Sequence, residues 1–220
     1  MAKHLIKGAI EQEWREKGFI LAGVDEVGRG CIAGPVVAAA VVLDYVKLHS
    51  LNTLTRAKIR DSKTLSAKQR AELVDLIQEI STAHAIGHAS AREIESIGIL
   101  KATFLAMNRA IASLKPFHPT LLLVDGNQNI AGQDIRQIPI VKGDSLCFSI
   151  AAASILAKEF RDHLMQDQAQ QYPLWGFERH VGYGTAEHIK AINEHGICEL
   201  HRRNFAPIRD LNTLDSINFQ

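Results

Sequence analysis

The stretch Phe19-Ile20-Leu21-Ala22-Gly23-Val24-Asp25-Glu26-Val27-Gly28-Arg29-Gly30 decides how the rest of the chain is read. Residues 19–25 are an apolar run ended by a glycine turn, the pattern of a buried strand. Residues 35–43, PVVAAAVVL, read as its hairpin partner, with Gly28, Gly30 and Gly34 in the turn between them. The adjacent acids Asp25 and Glu26 do not suit a sheet interior, because two neighbouring carboxylates repel each other and lose their water on burial. Successive strand residues point to opposite faces, so Glu26 joins Asp25 only if it stands at or past the strand end.

Two further runs end in the same way. Residues 120–125 close on Asp125-Gly126, and residues 138–142 lead into Gly143-Asp144. A single Asp at a strand end is ordinarily a turn former, and Asp125-Gly126 alone reads so. Asp25, Glu26, Asp125 and Asp144 gathered at one sheet edge would instead hold divalent cations. Hard oxygen donors suit Mg²⁺ or Mn²⁺ rather than zinc. Two such ions about 3.5–4 Å apart activate water and stabilise the leaving oxygen in phosphodiester cleavage. Arg29 would set an anionic substrate beside them. Without metal the four carboxylates repel, and at least one pKa rises. A dinucleotide or P-loop site is excluded. Ala33 stands where a third glycine would fall, the turn leads into a strand, and no G-x-x-x-x-G-K-[ST] occurs.

The chain has 220 residues and is 46% hydrophobic, enough for one core with a small appended region. We divide it into an N-terminal arm or short helix (1–18), a catalytic core (19–172) and a C-terminal helical region packed on that core (173–220), together one catalytic unit. Net charge is +1, so no global positive field draws in a polyanion, and local Lys and Arg must hold it. Cys31, Cys147 and Cys198 are odd in number and far apart, which reads as reduced thiols in a cytoplasmic protein. No secretory h-region opens the chain, and the longest apolar stretch is cut by Gly34-Pro35, so no membrane partner is expected. A monomer is the default reading.

Ser66 with Gln69 and Ser90 with Glu93 form capping boxes at two helix starts. Leu100, Phe104, Met107, Ile111 and Leu114 make a helical stripe stopped by Pro116. Residues 83–89 read as a short strand and residues 44–64 as polar and irregular. Residues 150–157 are small and apolar all round, a helix packed closely on a sheet. Thr185 caps a helix reaching His195, with Gly196 as its terminator. Two strands followed by alternating helices and strands give a mixed α/β sheet flanked by helices.

Taken together, Gly23-Val24-Asp25-Glu26-Val27-Gly28-Arg29-Gly30, Gly34-Pro35-Val36, Asp61-Ser62-Lys63, Val124-Asp125-Gly126, Lys142-Gly143-Asp144, residues 150–158, Gly182-Tyr183-Gly184-Thr185 and His201-Arg202-Arg203-Asn204-Phe205 resemble type 2 ribonuclease H, bacterial ribonuclease HII. Each motif is modest alone, but the ordered set spans roughly residues 19–209 and is very specific. The resemblance implies an RNase H-like core with a small C-terminal helical region. It implies an endonuclease that cuts the RNA strand of RNA–DNA hybrids, and cuts 5′ of single ribonucleotides in duplex DNA. Asp25, Glu26, Asp125 and Asp144 match the catalytic, metal-binding carboxylates for Mn²⁺ or Mg²⁺. Gly28, Arg29 and Gly30 match the reader of the RNA–DNA junction, Tyr183 a ring packed on the neighbouring deoxyribose, and Lys63 a phosphate contact. Arg202 and Arg203, beside His201, are candidates for holding backbone phosphates.

Taken alone, Lys63 is a solvated loop charge, Arg202-Arg203 a solvated face, Tyr183 a turn aromatic and Lys158 the first polar step of its helix. The chain departs from the family pattern at Val181, where many members have Lys, at Gly184, where Pro is common, and at Arg60, where a small polar or acidic residue is frequent. Residues 214–219 are similar to a sliding-clamp peptide but lack its leading glutamine. Two rivals stay open: another metal-dependent nuclease of the RNase H-like superfamily, and a non-catalytic hybrid-binding module.

Overall fold

The computed structural model describes residues 7–60 and 62–210, so Asp61 and the clamp-like 214–219 segment lie outside the described residues. In chain order the elements are helix α1 (Ala9–Glu16), strands β1 (Leu21–Val27) and β2 (Val36–Leu43), and helices α2 (Tyr45–Ser50) and α3 (Thr53–Ala57). A 3₁₀ turn (Ser62–Thr64), α4 (Ala67–Glu79), β3 (Ser81–Ala89), α5 (Ala91–Ile97) and α6 (Ile99–Ala112) follow. Then come β4 (Leu121–Asp125), β5 (Arg136–Ile140), α7 (Gly143–Leu146), α8 (Phe148–Gln171), α9 (Phe177–His180) and α10 (Ala186–His195).

The five strands form one sheet in the order β3-β2-β1-β4-β5. The first two pairings, β3 with β2 and β2 with β1, are antiparallel. The β1–β4 and β4–β5 pairings are parallel. On one face Ala22, Val24, Ala38 and Ala40 pack against Ala102, Ala106 and Ala110 of α6. On the other, Val37, Ala39 and Val41 meet α4 through Leu73 and Ile77, and α8 through Ala151, Ala152 and Ile155. Small residues let α8 lie close to the sheet. A Cβ at Gly23 would collide with the Ser149 and Ile150 backbone.

Both capping boxes form, with the side chains of Ser66 and Ser90 accepting from the Gln69 and Glu93 amides. The 44–64 segment is more regular than its polar composition indicates. The Asp44 side chain accepts from the Val46 and Lys47 amides and Asn52 from Thr55, and each opens a short helix. Caps rather than an apolar stripe start these helices, so periodicity does not reveal them. β1 also runs on to Val27, which leaves Glu26 inside the strand, paired opposite Ala38, and not past its end. β5 ends at Ile140, earlier than expected, and Lys142 then turns through φ 57° before α7.

The N-terminal arm is tied into the core. Glu11 of α1 is wholly buried and accepts from the Phe148 and Ser149 amides (2.9 and 2.8 Å), the Ser149 hydroxyl (2.7 Å) and the Tyr45 hydroxyl (3.0 Å). It thus caps α8 from the far end of the sequence, with a negative charge at the positive end of the helix dipole.

Candidate active site

Parallel pairing of β1 and β4 places Val24 beside Val124, and so brings Asp25 and Asp125 to neighbouring strand ends. Both lie on the α8 side of the sheet, by alternation from Leu21 and from Leu121 and Leu123. Glu26 points to the α6 side, where it lines a small pocket with Arg29, Thr103, Met107 and Asp125. Asp144 sits in the first turn of α7, next to Gly143, whose amide donates to Asp125 Oδ1 at 2.7 Å.

The electrostatics couple these acids. Burial pushes Asp25 well above the usual carboxylate range, and the neighbouring charges of Glu26 and Asp125 add to it. Glu26 is raised by burial and by Asp125, against a pull down from Arg29, whose Nη1 donates to Glu26 Oε1 at 3.1 Å. Asp125 is raised by burial and by Asp144, while the Gly143 amide and Lys63 pull it down. The Lys63 charge is thus felt at both Glu26 and Asp125.

Each carboxylate is also engaged locally: Asp25 Oδ1 by the Glu26 amide (2.7 Å), Asp144 Oδ1 by the Ser145 hydroxyl (3.4 Å). As they stand, no three His, Cys, Asp or Glu side chains among the described residues converge on one ion position. The donor set nonetheless fits a hard divalent cation: oxygen ligands only, on adjacent elements, with three of them held above their ordinary range by burial and mutual repulsion.

Residues to which the sequence reading gave no role support this array. Ser154 of α8 hydrogen-bonds to Ser62 at 3.0 Å and lies near enough to Asp25 to ease its charge, joining the acids to the segment that carries Lys63. Arg161 is fully buried. Its Nε donates to the Pro35 carbonyl (3.0 Å), Nη1 to Val181 (2.7 Å) and Nη2 to Ala33 (3.0 Å).

Arg202 is not on a solvated face. It is fully buried, with Nε on the Gly34 carbonyl (2.9 Å) and Nη1 on that of Arg29 (3.1 Å), and Nη2 has no partner among the described residues. Burial brings its pKa down to about 10. The two guanidiniums clamp the 29–35 turn through its carbonyls. Gly28, at φ 91°, is the close approach that admits them, since a Cβ there would meet Arg161 Cδ at 2.8 Å. Gly30 faces open space. Arg203 is exposed, and its amide donates to Glu95 at 2.8 Å.

Tyr183 is 37% exposed, and its hydroxyl and the Cys31 thiol hydrogen-bond to each other. The Ile32 amide donates to the Gly182 carbonyl at 3.0 Å, so the tyrosine loop and the glycine turn form one wall. Val181 contributes its carbonyl to Arg161, so the departure from Lys leaves that loop held. Lys158 is paired with Asp162 at 2.6 Å.

Helices on both faces of a mixed sheet in this strand order give the chain the RNase H-like fold class. Residues 22–208 match the family described as Ribonuclease HII. The chain is 50% identical over 193 residues to a Burkholderia mallei (strain SAVP1) ribonuclease HII, covering 88% of this chain and 86% of that one. It is 44% identical over 211 residues to the Endomicrobium trichonymphae ribonuclease HII, covering 96% and 97%. The fold matches the crystal structure of ribonuclease H2 from Pyrococcus horikoshii OT3 with a TM-score of 0.73, 23% identity, and coverage of 91% and 99%. The chain belongs to the ribonuclease HII family and is an endoribonuclease acting on the RNA strand of RNA–DNA hybrids.

Proposed function

We propose that Asp25, Glu26, Asp125 and Asp144 are the catalytic and metal-binding carboxylates, taking Mg²⁺ or Mn²⁺, and that the enzyme also cuts 5′ of single ribonucleotides embedded in duplex DNA. The observation that carries this reading is the approach of Asp25 to Asp125 on the parallel pair of β1 and β4, both raised by burial. Bound divalent cations supply the pull on the scissile phosphate and make water acidic enough to attack it. Everything else falls to the chain.

The half-exposed Arg29 guanidinium meets the anionic backbone. The glycine turn, pinned by Arg161 and Arg202, offers backbone groups within reach of a 2′-hydroxyl, the one group that marks a ribonucleotide inside DNA. The exposed Tyr183 ring suits a flat deoxyribose face. Lys63 and Arg203 hold phosphates, and Arg202 acts through the turn as a positioning residue. Residues 173–210 wall the same catalytic unit. Three free thiols suit a reducing, cytoplasmic setting, and the enzyme works as a monomer.

The test is an end-labelled duplex carrying one ribonucleotide, incubated with Mn²⁺ or Mg²⁺. One cut 5′ of the ribonucleotide is expected. Arg29→Ala should lose that substrate about tenfold more than a long hybrid. Equal loss on both removes the junction-reading role. Cleavage of all-DNA duplexes would turn the assignment to another nuclease, and binding without turnover would turn it to a binding module.

A further inference from the structure

A cavity of about 340 Å³ opens between α1, α2, α3 and the start of α8, lined by Lys7, Gln12, Arg15, Tyr45, His49, Arg56 and Phe148. The lining holds three permanent cations and a histidine, and no carboxylate. The acid beneath it, Glu11, is fully buried and consumed by the α8 cap. The Arg15 guanidinium lies 3.9 Å over the Tyr45 ring, which fixes its position without neutralising it. The Arg56 side chain makes no hydrogen bond or ion pair with any described residue. Guanidiniums gathered around a lining that holds no carboxylate attract a multivalent anion with several acceptor oxygens.

The cavity is also tied to α7, the helix that carries Asp144. Lys7 lines it, and its Nζ donates to the Asp144 carbonyl at 2.7 Å. The Gly8 amide donates to the Leu146 carbonyl at 2.8 Å, which joins the cavity rim to α7. We propose that this cavity is a phosphate subsite for the backbone of the bound nucleic acid, at a distance from the scissile bond; the inference rests on the ribonuclease reading above. Arg15 and Arg56 supply the phosphate contacts, Lys7 bridges from Asp144, and His49 completes the rim. The subsite adds affinity that depends on duplex length and salt, and leaves the chemical step to the carboxylates.

The test is fluorescence anisotropy of the full chain with Ca²⁺ in place of the catalytic ion, on labelled duplexes with one ribonucleotide and arms of graded length on either side. The double variant Arg15→Gln/Arg56→Gln should bind the long duplex about tenfold more weakly near 0.1 M salt, with the slope of log affinity against log salt shallower by about 2. Shortening one particular arm should remove the difference from wild type, and the melting midpoint should stay unchanged. Wild-type affinity and slope at every length overturn the proposal, as does an equal loss at every length, which would be general charge loss. If wild type binds but never cuts, the functional reading falls, while the length dependence still reports on the cavity.

Discussion

Asp125 answers two demands at the scale of one residue. Its Oδ1 holds the Gly143 amide, which sets the turn into α7, while its charge is disfavoured by burial and by Asp144. Asparagine keeps an acceptor at Oδ1 and discards the charge. Asp125→Asn should therefore fold normally and gain up to about 1 kcal/mol in metal-free stability, discounted for its partial exposure. It should also lose cleavage by at least about 10³-fold. Urea denaturation and single-turnover cleavage check both halves, and a variant that still turns over would remove Asp125 from the chemistry. Arg161 and Arg202 act differently. Buried guanidiniums without a carboxylate partner are costly, and here five backbone carbonyls compensate them. Their charge stays near the glycine turn, where it favours an anionic substrate.

At the scale of the element, the contact between α8 and β1 carries the site, because it sets Ser154 of that helix beside Asp25. Gly23 is where the two backbones come closest, and neither the Ser149 nor the Ile150 backbone atoms can swing aside as a side chain would. Gly23→Ala should lower stability by about 2–3 kcal/mol in urea and weaken cleavage with it. Unchanged stability would mean that the helix sits farther from the strand. Here the limits of reading a sequence are physical. The stripe of α6, the all-round apolar run of α8 and the capping boxes were legible, because local spacing and composition determine them. The acids of these runs were legible as candidates, since charge in an apolar run is anomalous wherever it occurs, but the continuation of β1 past Glu26 was not. The helices α2 and α3 were not, because two polar caps start them without a stripe. Glu11, Arg161 and Arg202 were not, because most of their partners are backbone groups more than a hundred residues away and no spacing marks them.

At the scale of the whole molecule, two buried titratable groups oppose each other. His180, His188 and His201 pack around Phe177, with His188 and His201 joined at 3.0 Å between their Nε2 atoms. Burial holds His188 and His201 neutral, with pKa values down to about 4 from 6.5. A base depressed on folding contributes stability above its unfolded pKa, so this contribution is full above 6.5 and is lost as pH falls towards 4. The acids work the other way. Asp25, Glu26 and Asp125 are raised on folding, so their contribution is present at low pH and is lost as pH rises through the raised values. At neutral pH the acidic sheet end thus opposes folding, and a cation that binds only the folded form relieves it. Mn²⁺ at about 100 times its dissociation constant should add about 2.7 kcal/mol near neutral pH. That gain should fade towards pH ~5, as protons compete for the same oxygens. The metal-free protein should meanwhile lose its histidine contribution over the same descent. Urea unfolding with and without Mn²⁺ across this range separates the two, and Asp25→Asn should abolish the metal gain while sparing the histidine-driven decline. A metal gain of equal size at both ends of the range, or one that survives Asp25→Asn, would mean that the ion binds elsewhere than at these strand ends.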